Sequence, residues 1–201
     1  MGITVEIYIG QDSTDYIDTI SKLRVDVFKE YPYLYEGELC YEKNYMLGYT
    51  TDKQAMIAIA RVDGKLAGVS TGIPLISNSE IVVDAKKVFL QEKIEIGDYY
   101  YYGEVIVLPE YRGRGLTTKL YAAQNELIKS WGFKHVCILT VVREIDHPLK
   151  PVDYKSPEKM WEHLGFFRNK LITDYHWPTI QADKSVKDIK NTLEFWTKQL
   201  I

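Results

Sequence analysis

The sequence predicts an α/β fold of the α+β kind, in which helices flank a central β-sheet, and three observations predict it. The apolar run Tyr99–Val107 lacks regular polar alternation, as a strand does when both of its faces are covered. A glycine-containing turn and an amphipathic helical pattern follow it, and the helical pattern ends at Gly132. The dipeptide Asp63-Gly64 separates two apolar runs, which is typical of a two-residue β-hairpin.

The N-terminal part of the chain predicts a strand followed by a helix. Residues Ile3–Ile9 alternate in polarity and are rich in β-branched side chains, as strands are. The cluster Asp12-Ser13-Thr14 offers N-cap side chains, and a helical pattern continues to about Glu30 before Pro32 stops it.

Residues 31–49 are dense in tyrosine and glutamate, and include six of the sixteen tyrosines of the chain. Aromatic faces beside carboxylates attract an ammonium group through cation–π and charge interactions. The same composition is typical of a surface loop and short helix whose tyrosine hydroxyls remain in water. The residues alone leave both interpretations open.

Strands and helices alternate through the middle of the chain. Two antiparallel strands, Met56–Val62 and 65–73, are expected on either side of the hairpin turn. A helix is predicted around residues 79–91. The β-branched run 135–142 predicts a strand beside the Tyr99–Val107 strand.

The C-terminal part predicts a loop, a short helix and a closing hairpin. The loop 143–154 contains two prolines and several titratable side chains. Ser156 caps a helix over residues 157–164, which Gly165 ends. The runs 171–180 and 192–200 are β-like around a polar link at 181–191, although residues 193–201 also fit a helix.

Composition predicts one soluble cytoplasmic domain over residues 1–201. The chain is 46% hydrophobic and 26% charged with a net charge of −3, which does not indicate a nucleic-acid partner. No apolar run approaches the roughly 20 residues of a membrane span, so no membrane partner is expected. Cys40 and Cys137 lie outside any CxxC spacing, so neither a disulfide framework nor a metal site is expected.

The turn Arg112-Gly113-Arg114-Gly115 before the amphipathic helix is a candidate anion site. Free backbone N–H groups and the helix dipole attract an anion there, glycines let it approach closely, and Lys119 adds positive charge. An ordinary strand-turn-helix connection with solvated arginines fits equally well. A dinucleotide fingerprint lacks its third glycine, and a nucleotide triphosphate loop lacks its Gly-Lys-Ser/Thr ending.

The stretch resembles the coenzyme A motif of the GNAT superfamily of N-acetyltransferases. That motif has a strand often ending in Val-x-Pro, then Arg/Gln-x-x-Gly-x-Gly/Ala and a helix, and here Val107-Leu108-Pro109 is followed by Arg112 to Thr117. Thr117 occupies the last small position, a mild departure. The helix-Gly-Phe at Gly165-Phe166 is a second resemblance, and the order of elements extends it over nearly the whole chain.

The resemblance implies the GNAT fold, a mixed and mostly antiparallel sheet with helices on both faces, and acetyl-CoA as cosubstrate without a metal. It assigns the pantetheine arm to the central strand and the pyrophosphate to the turn. The implied cofactor-binding residues are Val105, Ile106, Val107, Arg112, Gly113, Arg114, Gly115, Leu116, Thr117 and Thr118. In this family the region of residues 31–49 commonly forms part of the acceptor site, which makes Tyr33 and Tyr35 candidate substrate-binding residues.

Glu104 is the leading candidate for the proton acceptor of the reaction. A primary amine has a pKa of about 10 and must lose a proton to react. Glu104 is a lone carboxylate in an apolar strand, and burial makes a carboxylate more basic. A structural ion pair is the equal alternative, and Asp146 and His147 in the following loop are reserve candidates.

The general acid departs from the family pattern. Many family members have a tyrosine four residues before the Gly-Phe, and here that position is Trp161, which cannot protonate a thiolate. Tyr154 replaces the family's asparagine and is the remaining candidate for a catalytic hydroxyl. A thiol with a pKa of about 8.5 is already a fair leaving group, so the departure does not exclude catalysis.

The expected function is therefore acetyl transfer from acetyl-CoA to a primary amine of a small molecule. A protein N-acetyltransferase and a non-catalytic acyl-CoA-binding regulatory module are the alternatives. The aromatic segment favours a closed pocket, and hence a small acceptor. A homodimer is compatible with the sequence.

Overall fold

A computed structural model describes residues 2–201. One seven-stranded sheet organises them, with strands in the order β1-β2-β3-β4-β5-β7-β6. All neighbours are antiparallel except β4 and β5, which run parallel. The strands are β1 Ile3–Ile9, β2 Met56–Val62, β3 Lys65–Pro74, β4 Tyr99–Val107, β5 His135–Val141, β6 Phe167–Ile180 and β7 Val186–Gln199.

Helices cover both faces of this sheet, as predicted. They are α1 Ile17–Val27, α2 Leu39–Thr51, α3 Val83–Gln91, α4 Leu116–Ser130 and α5 Glu158–His163. Helices α1, α2 and α3 contribute Ile20, Met46 and Phe89 to a core on one face, while α4 and α5 contribute Tyr121 and Trp161 to a core on the other. The predicted mixed sheet with helices on both faces is confirmed.

Most elements lie where the sequence predicts them. Strand β4 has the predicted bounds, and Gly132 follows α4 with a φ of 91°. The hairpin turn at Asp63-Gly64 has positive φ at both residues, which only a few residue types adopt easily. After α5, Gly165 and Phe166 donate to the carbonyls of Glu162 and Trp161, which closes the helix end.

Two local predictions are wrong. Residues Asp12-Ser13-Thr14 lie inside a 3-10 turn, Gly10–Tyr16, so they do not cap α1, whose N-cap is Tyr16. Their hydroxyls bond backwards instead, Ser13 to the carbonyl of Tyr8 at 3.1 Å and Thr14 to that of Gln11 at 2.6 Å. At the C-terminus, the predicted β-like run 192–200 is confirmed over its helical alternative, but β7 begins at Val186, so the polar link at 181–191 is shorter than predicted.

None of the helices within residues 2–201 is long and apolar enough to cross a lipid bilayer.

Candidate functional site

Strands β4 and β5 separate halfway along their length. Their parallel ladder runs from Tyr99 opposite His135 to Tyr102 opposite Ile138 and ends there. Beyond that point β4 pairs with β3 alone, and β5 pairs with β7 alone. Within the described residues 2–201, the backbone groups of 103–107 that face β5 therefore have no ladder partner. The sheet has an opening here, and Val105, Ile106 and Val107 lie along one of its edges.

Gly103 stands at the start of the opening and changes which side chains face each side of the sheet. Before it, Tyr101 packs on the α1 and α2 side and Tyr102 on the α4 side; after it, Ile106 packs on the α1 and α2 side. The register with β3 is irregular at this point. A Cβ on Gly103 would lie 1.9 Å from the hydroxyl of Tyr49, so only glycine permits this approach.

Glu104 is buried, and both of its carboxylate oxygens have polar partners. Only 4% of the Glu104 surface is exposed to solvent. One carboxylate oxygen accepts hydrogen bonds from the hydroxyls of Thr71 and Tyr49, the latter at 3.2 Å. The other oxygen forms an ion pair with Arg24. Both carboxylate oxygens of Glu104 therefore have a donor as partner.

Arg24 lies between two carboxylates. Its Nη1 bonds Glu104 and its Nε bonds Glu42 of α2. The side chain of Arg24 is 12% exposed, that of Glu104 is 3% exposed and that of Glu42 is fully buried. The guanidinium also lies over the rings of Phe28 and Tyr45, 4.9 Å and 4.6 Å from their centroids. Burial would lower the pKa of Arg24, but the charges of Glu104 and Glu42 raise it above its usual value. One guanidinium and two carboxylates give this triad, Arg24, Glu42 and Glu104, a formal net charge of −1.

Tyr33 and Tyr35 lie on the same side of the sheet as this triad. The Tyr35 hydroxyl donates to Glu42 at 2.7 Å, and the Tyr33 ring stacks on Phe28 at 4.3 Å. Trp177 of β6 has its ring 6.4 Å from each of them. Burial raises the pKa of Tyr33 to about 12, so this phenol stays neutral at physiological pH.

Backbone contacts fix the segment that contains these tyrosines. Arg143, just after β5, donates to the carbonyls of Pro32 at 2.7 Å and Tyr33 at 2.9 Å. A bridge between Tyr35 and Thr179 joins the segment to β6. The segment is therefore held against the end of β5 and against β6, on the side of the sheet that carries the triad.

The loop after β5 brings Tyr154 and His147 against Tyr31. The Tyr154 ring meets that of Tyr31 edge-on at 4.6 Å, and the His147 ring lies 5.6 Å from it. Burial raises the pKa of Tyr154 to about 12, while burial and the charge of Arg143 lower the pKa of His147. Within residues 2–201, no hydrogen bond or ring contact joins either side chain to Glu104. Asp146 is exposed.

The glycine turn before α4 opens onto free space. Gly113 and Gly115 have φ values of 75° and 72°, and a Cβ on either one would have no atom within 4 Å. Gly115 is the N-cap of α4 and has no side chain to bond the first amides, which a helix leaves unpaired. Arg112 bonds the carbonyl of Val107 at 3.1 Å and pairs with Glu30, and Arg114 bonds the carbonyl of Glu110 at 2.9 Å.

Trp161 lies on the α4 side of the sheet, where it is 6% exposed. Its ring is stacked with Tyr121 at 6.1 Å and meets Phe166 at 6.0 Å. Its Nε1 is enclosed and has no hydrogen-bond partner within residues 2–201. The side chain thus fills core space beside α4.

Sequence reasoning missed Arg24 as part of this site, although a signal was present. Arg24 follows Ile17 and Ile20 at the spacing of one helix face, and all three lie on the buried side of α1. Glu42 lies likewise on one face of α2 with Met46 and Tyr49. A charged residue on an otherwise apolar face predicts a buried partner of opposite charge.

Comparison with protein-family models matches residues 20–152 to the model described as the acetyltransferase (GNAT) family. A comparison with curated protein sequences found no match to this chain.

Several solved structures are similar to the whole chain. An N-acetyltransferase from Staphylococcus aureus Mu50 has a TM-score of 0.59 at 12% identity, covering 98% of this chain and 99% of that one. The ribosomal-protein-S18-alanine N-acetyltransferase of Escherichia coli has a TM-score of 0.56 at 10% identity, covering 99% and 94%. A Salmonella typhimurium protein solved with its cofactor acetyl-CoA has a TM-score of 0.57 at 12% identity, covering 100% and 95%. At these identities the similarity shows the fold.

Proposed function

Because the chain belongs to the GNAT family of acetyltransferases, we propose that it transfers an acetyl group from acetyl-CoA to a primary amine of a small molecule. One observation supports this proposal above the others. The opening between β4 and β5 has the glycine turn at one end and the buried Glu104 at its edge. Cofactor, acyl group and proton acceptor can therefore meet in one place.

The residues predicted to bind the cofactor fit a thioester of this kind. The edge of β4 at Val105, Ile106 and Val107 that faces β5 has no ladder partner there and is open to an extended pantetheine arm. The turn from Arg112 to Thr118 offers amide donors and space for phosphate oxygens. When bound, acetyl-CoA supplies an activated acetyl carbonyl and a thiol leaving group.

The Arg24, Glu42 and Glu104 triad favours a cationic acceptor. Its net charge of −1 is buried, and an ammonium group would neutralise it. Glu104 then accepts a proton from the amine, directly or through water, so that the nitrogen lone pair can attack the thioester carbonyl. Tyr33 and Tyr35 line the approach with neutral aromatic surface.

The fixed segment 31–35 favours a small acceptor over a protein chain. The Arg143 side chain and the bridge to Thr179 hold it on the side of the triad, where a peptide would need an open groove. The Escherichia coli relative acts on a ribosomal protein, so the shared fold alone does not decide between the two acceptor classes.

Thiol release from acetyl-CoA against a panel of amines tests this proposal. We expect turnover with at least one small primary amine, and slower turnover with peptides that carry a free N-terminus or a lysine. Faster turnover with peptides would reverse the choice of acceptor. Binding of acetyl-CoA without turnover on any amine or peptide would favour the alternative of a non-catalytic acyl-CoA-binding module.

A further inference from the structure

The hydroxyl that Trp161 lacks is present one helix away, on Tyr121 of α4. Tyr121 and Trp161 belong to the same buried cluster, and their rings stack at 6.1 Å with 22° between planes. A phenol therefore lies beside the position at which the GNAT resemblance expects a hydroxyl. This phenol belongs to α4, whereas the family resemblance expects the hydroxyl on α5, at the position of Trp161.

Packing holds the Tyr121 ring in one orientation. It stacks on Tyr102 at 4.3 Å with 14° between planes, and it meets Phe166 at 6.0 Å. Tyr102 is the last residue of β4 that pairs with β5. The ring therefore packs on the side chain of the residue at which the two strands separate.

The Tyr121 hydroxyl is available to a ligand. It makes no hydrogen bond within residues 2–201, although the residue is only 3% exposed. Its oxygen is not among the fully enclosed unpaired polar atoms, whereas the Trp161 Nε1 is. Of the two neighbouring groups, the phenol is the one that a bound molecule can reach.

Burial raises the pKa of Tyr121, so the phenol stays protonated at physiological pH and can donate a hydrogen bond.

We propose that the Tyr121 hydroxyl donates a hydrogen bond to the sulfur of the departing CoA thiolate. The inference rests on the proposed acetyl transfer. In that step the amine nitrogen bonds the carbonyl carbon, the carbon–sulfur bond breaks, and its electron pair goes to sulfur. The amine proton passes to Glu104 and then to the thiolate or to water. Tyr121 keeps its own proton and stabilises the negative charge on sulfur.

The thiol of CoA bound to the protein provides a direct test. A hydrogen bond to a charged acceptor contributes about 1.5–3 kcal/mol, so the pKa of the bound thiol should lie roughly one to two units below that of free CoA. Thiolate absorbance measured against pH gives this value. Tyr121→Phe keeps the ring and should abolish the shift, and Tyr8→Phe, on the edge strand β1, is the matched control that should leave it intact. Affinity for desulfo-CoA should be equal in all three proteins.

The same variants separate this inference from the proposed function in kinetics. Tyr121→Phe should lower kcat by roughly tenfold to a hundredfold with little change in the KM for acetyl-CoA. If the wild-type bound thiol titrates where free CoA does, the inference is wrong, and no variant is needed to show it. Equal kcat in Tyr121→Phe and wild type would overturn it as well, while leaving acetyl transfer in place. If the wild type binds no CoA, the proposed function fails and this inference fails with it.

Discussion

Glu104→Gln is expected to lower kcat for acetyl transfer by about 10²- to 10⁴-fold, the usual contribution of a positioned proton acceptor. The substitution keeps the size of the side chain and its ability to accept from Thr71 and Tyr49. The remaining activity should rise steeply with pH, because only amine already deprotonated in solution then reacts, and its pKa is about 10. Initial rates between pH 6 and 9 measure both effects.

The matched control is Glu42→Gln, which removes the other carboxylate of the same triad. Glu42 also pairs with Arg24, but it lies on α2, away from the opening. If Glu104 accepts the proton, Glu42→Gln should weaken binding of a cationic amine and leave the slope of rate against pH unchanged. Full activity of Glu104→Gln across this range, or equal losses in both variants, would assign Glu104 a purely structural ion pair with Arg24.

Arg24→Met is expected to lower the free energy of unfolding by about 3–5 kcal/mol, because it leaves two buried carboxylates without a counter-ion. Glu42 and Glu104 are almost fully buried, so water cannot replace the guanidinium. The methionine retains apolar contact with Phe28 and Tyr45, so lost packing adds little. Urea denaturation followed by circular dichroism measures the change.

Arg61→Met provides the comparison for Arg24→Met. Arg61 pairs with Glu6 at 3.2 Å, and their side chains are 30% and 45% exposed. Surface pairs of this kind contribute about 0–1 kcal/mol, so Arg61→Met should change stability little. Similar losses in the two variants would mean that the triad is better solvated than the structure shows.

Local patterns predict this fold well because its elements have strong local signals. The Asp63-Gly64 turn, the apolar β4 strand and the glycine that ends α4 each specify a conformation through a few neighbouring residues. The prediction of the α1 N-cap failed because serine and threonine hydroxyls can either cap a helix or bond to a preceding carbonyl. Ser13 and Thr14 bond to earlier carbonyls in a 3-10 turn instead of capping α1, and the local sequence pattern does not distinguish the two uses.

The candidate site is predictable only in part, because its chemistry depends on long-range contacts. Glu104 and the glycine turn belong to one continuous stretch, so a motif can locate them. The ion pair of Glu104 with Arg24 joins residues 80 positions apart. A sequence motif cannot identify Tyr121 either, because the contact between its ring and Trp161 depends on how α4 and α5 pack beside β4.

Coenzyme A binding at the glycine turn tests the central claim most directly. Gly115→Asp places a carboxylate where the pyrophosphate is proposed to lie, and Gly132→Asp places one at the other end of α4. Both glycines have positive φ and open space around a Cβ, so the two variants share the same backbone cost. Thermal and denaturant unfolding with and without CoA measures binding through stabilisation.

At 100 times its dissociation constant, CoA should stabilise the wild type and Gly132→Asp by about 2.7 kcal/mol, and Gly115→Asp far less. No stabilisation of the wild type at saturating CoA, or equal stabilisation of all three proteins, would contradict the assignment of this turn as the cofactor site.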